Sequence, residues 1–147
     1  VQQFYDEESR SLMGLDQYAH AKWDGIEEQE QLCYWRKHPN LNAWMEELYY
    51  KKNNLSDAPG GLEEVGDGTI IRHTSMDSQF NCENVELNEE DLDNLAVLVK
   101  NNLLPKATGF FWGSDSDEEY KERDLEFIEN ARKVLSDGGK VLYHCWW

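Results

Sequence analysis

The chain has little of what chemistry usually needs. Its 147 residues include three cysteines and four histidines, and none form a ligand-like pair. Cys33, Cys82 and Cys145 are odd in number and irregularly spaced, which argues against a disulfide framework and fits reduced intracellular thiols. His144 adjoins Cys145, but neighbouring strand residues point to opposite faces, so the two are not expected to share a metal or form one nucleophile–base pair. Asp115, Asp117 and Glu119 have a calcium-loop-like local spacing, yet the glycine and distal glutamate that complete such a loop are missing. Helix capping explains those acids better. No carboxylate pair stands out for glycosidase chemistry, and Pro59-Gly60-Gly61 does not link strand to helix as a phosphate loop does. No catalytic residue, metal site or cofactor is expected.

Long apolar runs are also lacking. No stretch approaches a membrane span, and the first residues lack the basic region and apolar core of a signal peptide. A cytoplasmic protein with no membrane partner is the expectation.

Basic residues are scarce: 14 Lys and Arg against 30 Asp and Glu leave a formal charge of −16. Residues 73–99 hold seven acids and no Lys or Arg, and residues 115–129 hold eight acids and two bases. Such a surface repels nucleic acid and anionic membranes, so no direct nucleic-acid partner is expected. It fits a basic protein partner, with mimicry of a polyanion as one form of that reading. A general solubility preference explains the same charge.

What is present is aromatic weight, with six Trp, seven Tyr and five Phe, enough for the core of one domain. The clearest element is a helix over 117–137. Ser116 can cap it with Glu119 three residues on. Tyr120, Phe127, Ile128, Ala131, Val134 and Leu135 make one apolar stripe, and Gly138 permits the stop. With Phe110-Phe111-Trp112 before it and Val141 to Trp147 after it, a strand–helix–strand unit at a sheet edge is predicted.

Elsewhere, strands are predicted near 15–22, 30–36, 80–87 and 140–147. Pro39, Leu41, Trp44, Met45, Leu48 and Tyr49 predict a helix near 40–52. Asn88, with Leu87 and Leu92 placed for a hydrophobic staple, predicts another over 89–100. Residues 1–12 look like an N-terminal extension. Residues 13–147 look like a single α+β domain in two layers, a small mixed or antiparallel sheet against about three helices. Residues 53–79 read as a surface excursion, in which Gly66-Asp67-Gly68 and Thr69-Ile70-Ile71 suit a hairpin turn and a short strand.

Two aromatic groups are candidates for a binding site. Tyr34-Trp35-Arg36-Lys37-His38 sets potential cations after two rings. Phe110-Phe111-Trp112-Gly113-Ser114 sets rings and a hydroxyl at a chain reversal. Trp35, Arg36, Lys37, Trp112 and Ser114 would line a pocket for a small anion or planar ring, with Asp124 as a buried acid facing it. The competing reading makes the rings core residues, pairs Arg36 with a nearby acid, and leaves Asp124 at the stripe edge.

Met13-Gly14-Leu15-Asp16-Gln17-Tyr18, Tyr34-Trp35-Arg36-Lys37, Leu41, Trp44, Leu104-Pro105, Gly109 to Ser114, the Tyr120–Ala131 helix and the closing aromatic strand resemble a family of small uncharacterised proteins of tailed bacteriophages and bacteria. Some members carry the label phosphoglycerate kinase. This chain is too short for that two-domain enzyme and has no phosphate loop. The resemblance implies a phage accessory protein in the host cytoplasm, without an assigned activity, catalytic residue or cofactor. Family members commonly have phenylalanine before Gly-Ser where this chain has Trp112, which implies a narrower pocket.

Two functional expectations accompany this non-enzymatic accessory role. One is a small-ligand or nucleotide-related binding protein. The other is an acidic protein for a basic host partner.

Overall fold

The computed structural model describes residues 14–108 and 117–147. In chain order the elements are β1 (Asp16–Lys22), β2 (Glu30–Arg36), α1 (Pro39–Lys52), β3 (Leu62–Glu64), β4 (Ile70–His73), β5 (Asn84–Leu87), α2 (Glu89–Lys100), β6 (Lys106–Thr108), α3 (Asp117–Ser136) and β7 (Lys140–Trp146). This is a small α+β fold with its helices against a sheet, as the alternation of segments predicts.

The main sheet has the order β2-β1-β7-β5, with every neighbouring pair antiparallel. β7 pairs on both sides, so it lies inside the sheet and not at the predicted edge. Among the described residues the strand before α3 is β6, which belongs to a second sheet, β3-β4-β6, and the predicted strand at Phe110-Phe111-Trp112 lies outside the described residues. β3 and β4 form a hairpin, and β4 runs parallel to β6. The predicted excursion at 53–79 thus contains a sheet component that β6 completes from a distant segment. Such short strands have too few residues to show a period of two.

The predicted strand at 80–87 is confined to Asn84–Leu87. Before it the chain turns: Glu83 N–H donates to the Phe80 carbonyl, and Cys82 has φ 67. The apolar residues Phe80 and Cys82 therefore do not share a strand with Val85.

Local chemistry sets the helix ends. Asn88 caps α2, accepting from Asp91 N–H at 2.8 Å while the Asp91 carboxylate accepts from Asn88 N–H at 2.9 Å. Pro39 suits the first turn of α1, where an N–H has no helical partner. Gly138 has φ 89 and ends α3, with Gly139 N–H bonded to the Val134 carbonyl. At Gly139 a Cβ would fall 2.7 Å from Val134 and 2.8 Å from the Trp23 ring, so only glycine lets the turn close on Trp23. The predicted Ser116 cap lies outside the described residues.

α2 and α3 pack antiparallel. Arg132 donates to Asp93 at 2.9 Å at one end of the pair, and Lys121 donates to the Lys100 carbonyl at 3.1 Å at the other. Their acidic starts therefore sit at opposite ends of the pair and form no continuous acidic track.

α1 and α3 pack toward the main sheet's inner face. There Ala19, Ala21, Trp35, Val85, Leu87, Val141, Tyr143 and Cys145 are buried. Trp35 meets Phe127 edge-on at 5.1 Å, and Phe80 stacks on Tyr143 at 6.0 Å.

Candidate functional site

Two polar groupings stand out, and they are chemically opposite. The first is sealed inside. Trp35 Nε1–H donates to Asp124 Oδ1 at 2.8 Å, and His38 Nε2 lies 2.8 Å from Asp124 Oδ2. Gln17 donates to the His38 carbonyl at 3.0 Å and accepts from His38 N–H at 2.8 Å. Its amide also donates to Tyr143 Oη at 2.8 Å, and that hydroxyl donates to Asn42 at 2.7 Å. Asn40 links α3 to β6 by donating to Asp117 and accepting from Ala107 N–H. All of these side chains are buried.

This chain of bonds ties β1, β2, β7, α1 and α3 together at the point where the connection from β2 turns into α1. Most of its groups satisfy one another, as buried polar groups generally do, and Asn42 Nδ2 is the exception, with no hydrogen-bond partner among the described residues. An Asp–His pair with an adjacent hydroxyl resembles acid–base machinery, but His38 is fully buried and stacks on Tyr120 at 4.7 Å. Tyr120 Oη–H donates to the Arg36 carbonyl.

A second buried set lies along α1. Ser78 donates to Glu46 at 2.6 Å, and Tyr50 lies 3.2 Å from Ser78. Glu46 Oε1 has no hydrogen-bond partner among the described residues. Burial raises its carboxyl pKa above the usual range. Burial also pushes the Tyr143 phenol and the Cys145 thiol well above their ordinary values, so neither ionises readily.

The other grouping is the outer face of the main sheet. Along β1 the chain turns Gln17, Ala19 and Ala21 inward and Asp16, Tyr18, His20 and Lys22 outward. β7 matches it in register: Tyr18 faces His144, His20 faces Leu142, Lys22 faces Lys140 and Asp16 faces Trp146. β2 adds Tyr34 and Arg36, and β5 adds Asn84 and Glu86. In β1 the small residues lie under the helices and the rings lie on the open side, while the inner rings come from β2 and β7 as Trp35 and Tyr143. The β1 pattern inverts the usual arrangement of an antiparallel strand.

The rings lean on one another. Tyr18 lies 5.1 Å from Tyr34 and 6.1 Å from His20 by ring centroids. Tyr34 Oη–H donates to Asp16 at 2.6 Å, and Arg36 reaches the same oxygen at 3.0 Å. Burial, then the Asp16 carboxylate, raises the Tyr34 phenol. His144 Nδ1 is 3.1 Å from Asn84 Oδ1, and burial, then His20, lowers its pKa. Lys22, Arg36 and Lys140 share this face with Asp16 and Glu86, and the Glu83 carboxylate acts on His144 from beside β5. Its local charge is close to balanced on a chain of net −16.

The predicted site residues are distributed between the two groupings. Trp35 and Asp124 belong to the interior and bond to each other. Arg36 belongs to the outer face and is paired with Asp16. Lys37 is exposed in the turn before α1, with φ 58. Trp112 and Ser114 lie outside the described residues. Trp35 and Arg36 were read together as neighbours in sequence, but the strand sends them to opposite faces. Tyr18, His20 and His144 were missed as a group; their signal was the alternation of rings with alanine in β1. Among the described residues no cluster of His, Cys, Asp and Glu is arranged to hold a metal ion, and no helix is long and apolar enough to cross a membrane.

No protein-family model matches the chain, and no curated protein or solved structure matches it.

Proposed function

We propose that the protein is a binding module whose open sheet face takes a planar, anionic ring ligand of the nucleotide class. The carrying observation is the inverted pattern of β1. It keeps Gln17, Ala19 and Ala21 beneath the helices and directs Tyr18 and His20 away from them, and β7 adds His144 and Trp146 on the same side. A half-exposed, self-supporting ring surface gives a base a stacking platform worth about 1–3 kcal/mol per stacked base. Lys22 lies at one end of it for a phosphate group, and Arg36 and Lys140, held by Asp16 and Glu86, add positive charge nearby.

The overall negative charge opposes a polyanion at long range, but at physiological salt that field is screened beyond about 8 Å. Local cations then govern a ligand seated on the face. A non-enzymatic accessory role, as the phage resemblance implies, is compatible with this binding reading. The site differs from the one predicted in sequence: Arg36 remains, and the stacking rings are Tyr18 and Tyr34 in place of Trp35.

The test titrates the full chain with AMP, ADP, ATP, ribose 5-phosphate and a six-nucleotide uridine strand, read by backbone amide NMR shifts. Nucleotides should shift β1 and β7 amides saturably, and ribose 5-phosphate should not. Tyr18→Ala with Tyr34→Ala should weaken binding at least tenfold. The mononucleotide and oligonucleotide arms tell a free nucleotide from a single strand. Unchanged affinity in the double variant, or no saturable shift at millimolar ligand, overturns the proposal.

A further inference from the structure

A second binding feature lies on the small sheet, away from the ring face, and it is a strand edge beside an apolar groove. β3 pairs only with β4 among the described residues. His73 N–H donates to the Gly61 carbonyl, and Val65 N–H donates to the Thr69 carbonyl. Odd-numbered residues therefore bond inward, and antiparallel geometry turns the backbone N–H and C=O of Leu62 and Glu64 toward the free edge. Unpaired edge groups of this kind accept an added strand.

The groove beside that edge has a volume of about 720 Å³ and runs between α1 with its following loop and the β3–β4 hairpin. Tyr50, Leu55, Ala58 and Leu62 supply its apolar wall. A separate, smaller concavity shares Glu47, Leu62 and Arg72 with it and reaches Ile70 and Pro105. Leu62 is 64% exposed and Ile70 48% exposed, although both are aliphatic and lie on the groove side of the hairpin. Neither position contributes to the core.

The charge around this edge is mostly acidic. Asp57 lines the groove, Glu63 and Glu64 lie on β3, and Asp67 lies in the turn. Against them Arg72 is already held by Glu47, His73 lies 2.7 Å from Glu63, and Lys51 is the remaining lysine in the lining.

We infer that the β3 edge docks an extended segment of another protein in which apolar and basic residues alternate. The segment adds a strand beside Leu62–Glu64. Its apolar side chains enter the Leu55–Ala58–Leu62 notch, and its cations, which the strand period sends to the other face, meet Glu63. Main-chain bonds supply the pairing, and the alternation selects the register. This inference is independent of the ligand on the ring face, since it uses none of the same residues.

The probe is a fluorescein-labelled, end-capped (Lys-Val)4 peptide, read by anisotropy and by amide NMR on the full chain. Comparators are (Glu-Val)4, which reverses the charge, and (Lys-Gly)4, which removes the apolar residues. Leu62→Pro removes an edge N–H that the hairpin does not use, and Leu62→Asp serves as a second variant if the proline disturbs folding. Glu63→Lys reverses the charge on the face the cations take, and Glu118→Lys, on the exposed face of α3, controls for general acidity.

(Lys-Val)4 should bind saturably, shift amides from 61 to 72, and weaken with added salt. Its Kd should rise at least tenfold in Leu62→Pro or Leu62→Asp and in Glu63→Lys, with little change in Glu118→Lys. Equal binding of (Lys-Gly)4, equal loss in Glu118→Lys, or no effect of either Leu62 variant overturns the inference. Self-association at high protein concentration that Leu62→Pro abolishes also overturns it, and assigns the edge to a second copy.

Discussion

The indole of Trp35 on β2 donates to the carboxylate of Asp124 on α3 at 2.8 Å, across 89 positions of sequence and with both residues buried. The other oxygen of the same carboxylate lies 2.8 Å from His38. One side chain thus joins the sheet, the longest helix and the start of α1.

Removing that carboxylate should be among the costliest single changes in the protein. Asp124→Ala strands an indole N–H and a histidine in the interior, and breaking a buried polar pair of this kind costs about 3–5 kcal/mol. Asp124→Asn retains acceptor capacity and should cost less. Urea unfolding of the two variants checks the order; equal, small losses would contradict the role given to Asp124.

Glu46 should make stability fall as pH rises. Burial holds its folded-state pKa above the ordinary value of 4.5, so the unfolded chain gives up the proton first. The neutral form is favoured in the fold, and stability is lost as pH climbs from the ordinary value through the raised one. Glu46→Gln should therefore be more stable than the parent above that window and close to it at lower pH. Thermal unfolding midpoints at several pH values measure the crossover.

His144 works in the opposite direction on the fold. Burial and His20 lower its pKa below 6.5, so the unfolded chain takes up the proton first as pH falls, and stability declines below about that pH. The proposed anionic ligand should bind more tightly in the same range, because protonation adds positive charge to the ring face. Titrations of AMP at pH 7.5 and pH 5.5 test this, and His144→Gln should reduce the gain.

The three thiols should separate by reactivity. Cys82 is exposed, Cys145 is buried with its pKa pushed well up, and burial raises Cys33 to about 12. The thiolate is the reactive form. A disulfide exchange reagent should therefore modify Cys82 quickly in the native protein, and Cys33 and Cys145 only on unfolding. Mass mapping of the modified sites decides it; rapid native modification of Cys145 would contradict its burial.

The local elements were legible from the chain because their causes are local. The apolar stripe from Tyr120 to Val134 predicts α3, and Asn88 with the acids after it predicts α2. Pro39 and the aromatic run from Leu41 predict α1. The alternation in Asp16–Lys22 and Lys140–Trp146 predicts two strands. The charge of −16 and the scarcity of ligand-like His and Cys pairs are sequence properties outright.

Tertiary structure decided which of those pieces meet. Pairing β7 between β1 and β5 depends on long-range hydrogen bonds that no local period reveals, and β6 joins β4 across more than 30 residues. The antiparallel packing of α2 against α3 sends their acidic starts to opposite ends. The same strand pleat that buries Trp35 beside Asp124 turns Arg36 outward to Asp16. A side chain's face is fixed by its strand's register, and its neighbours on that face come from other strands. The ring surface of Tyr18, Tyr34, His20 and His144 therefore exists only once three separate segments have paired.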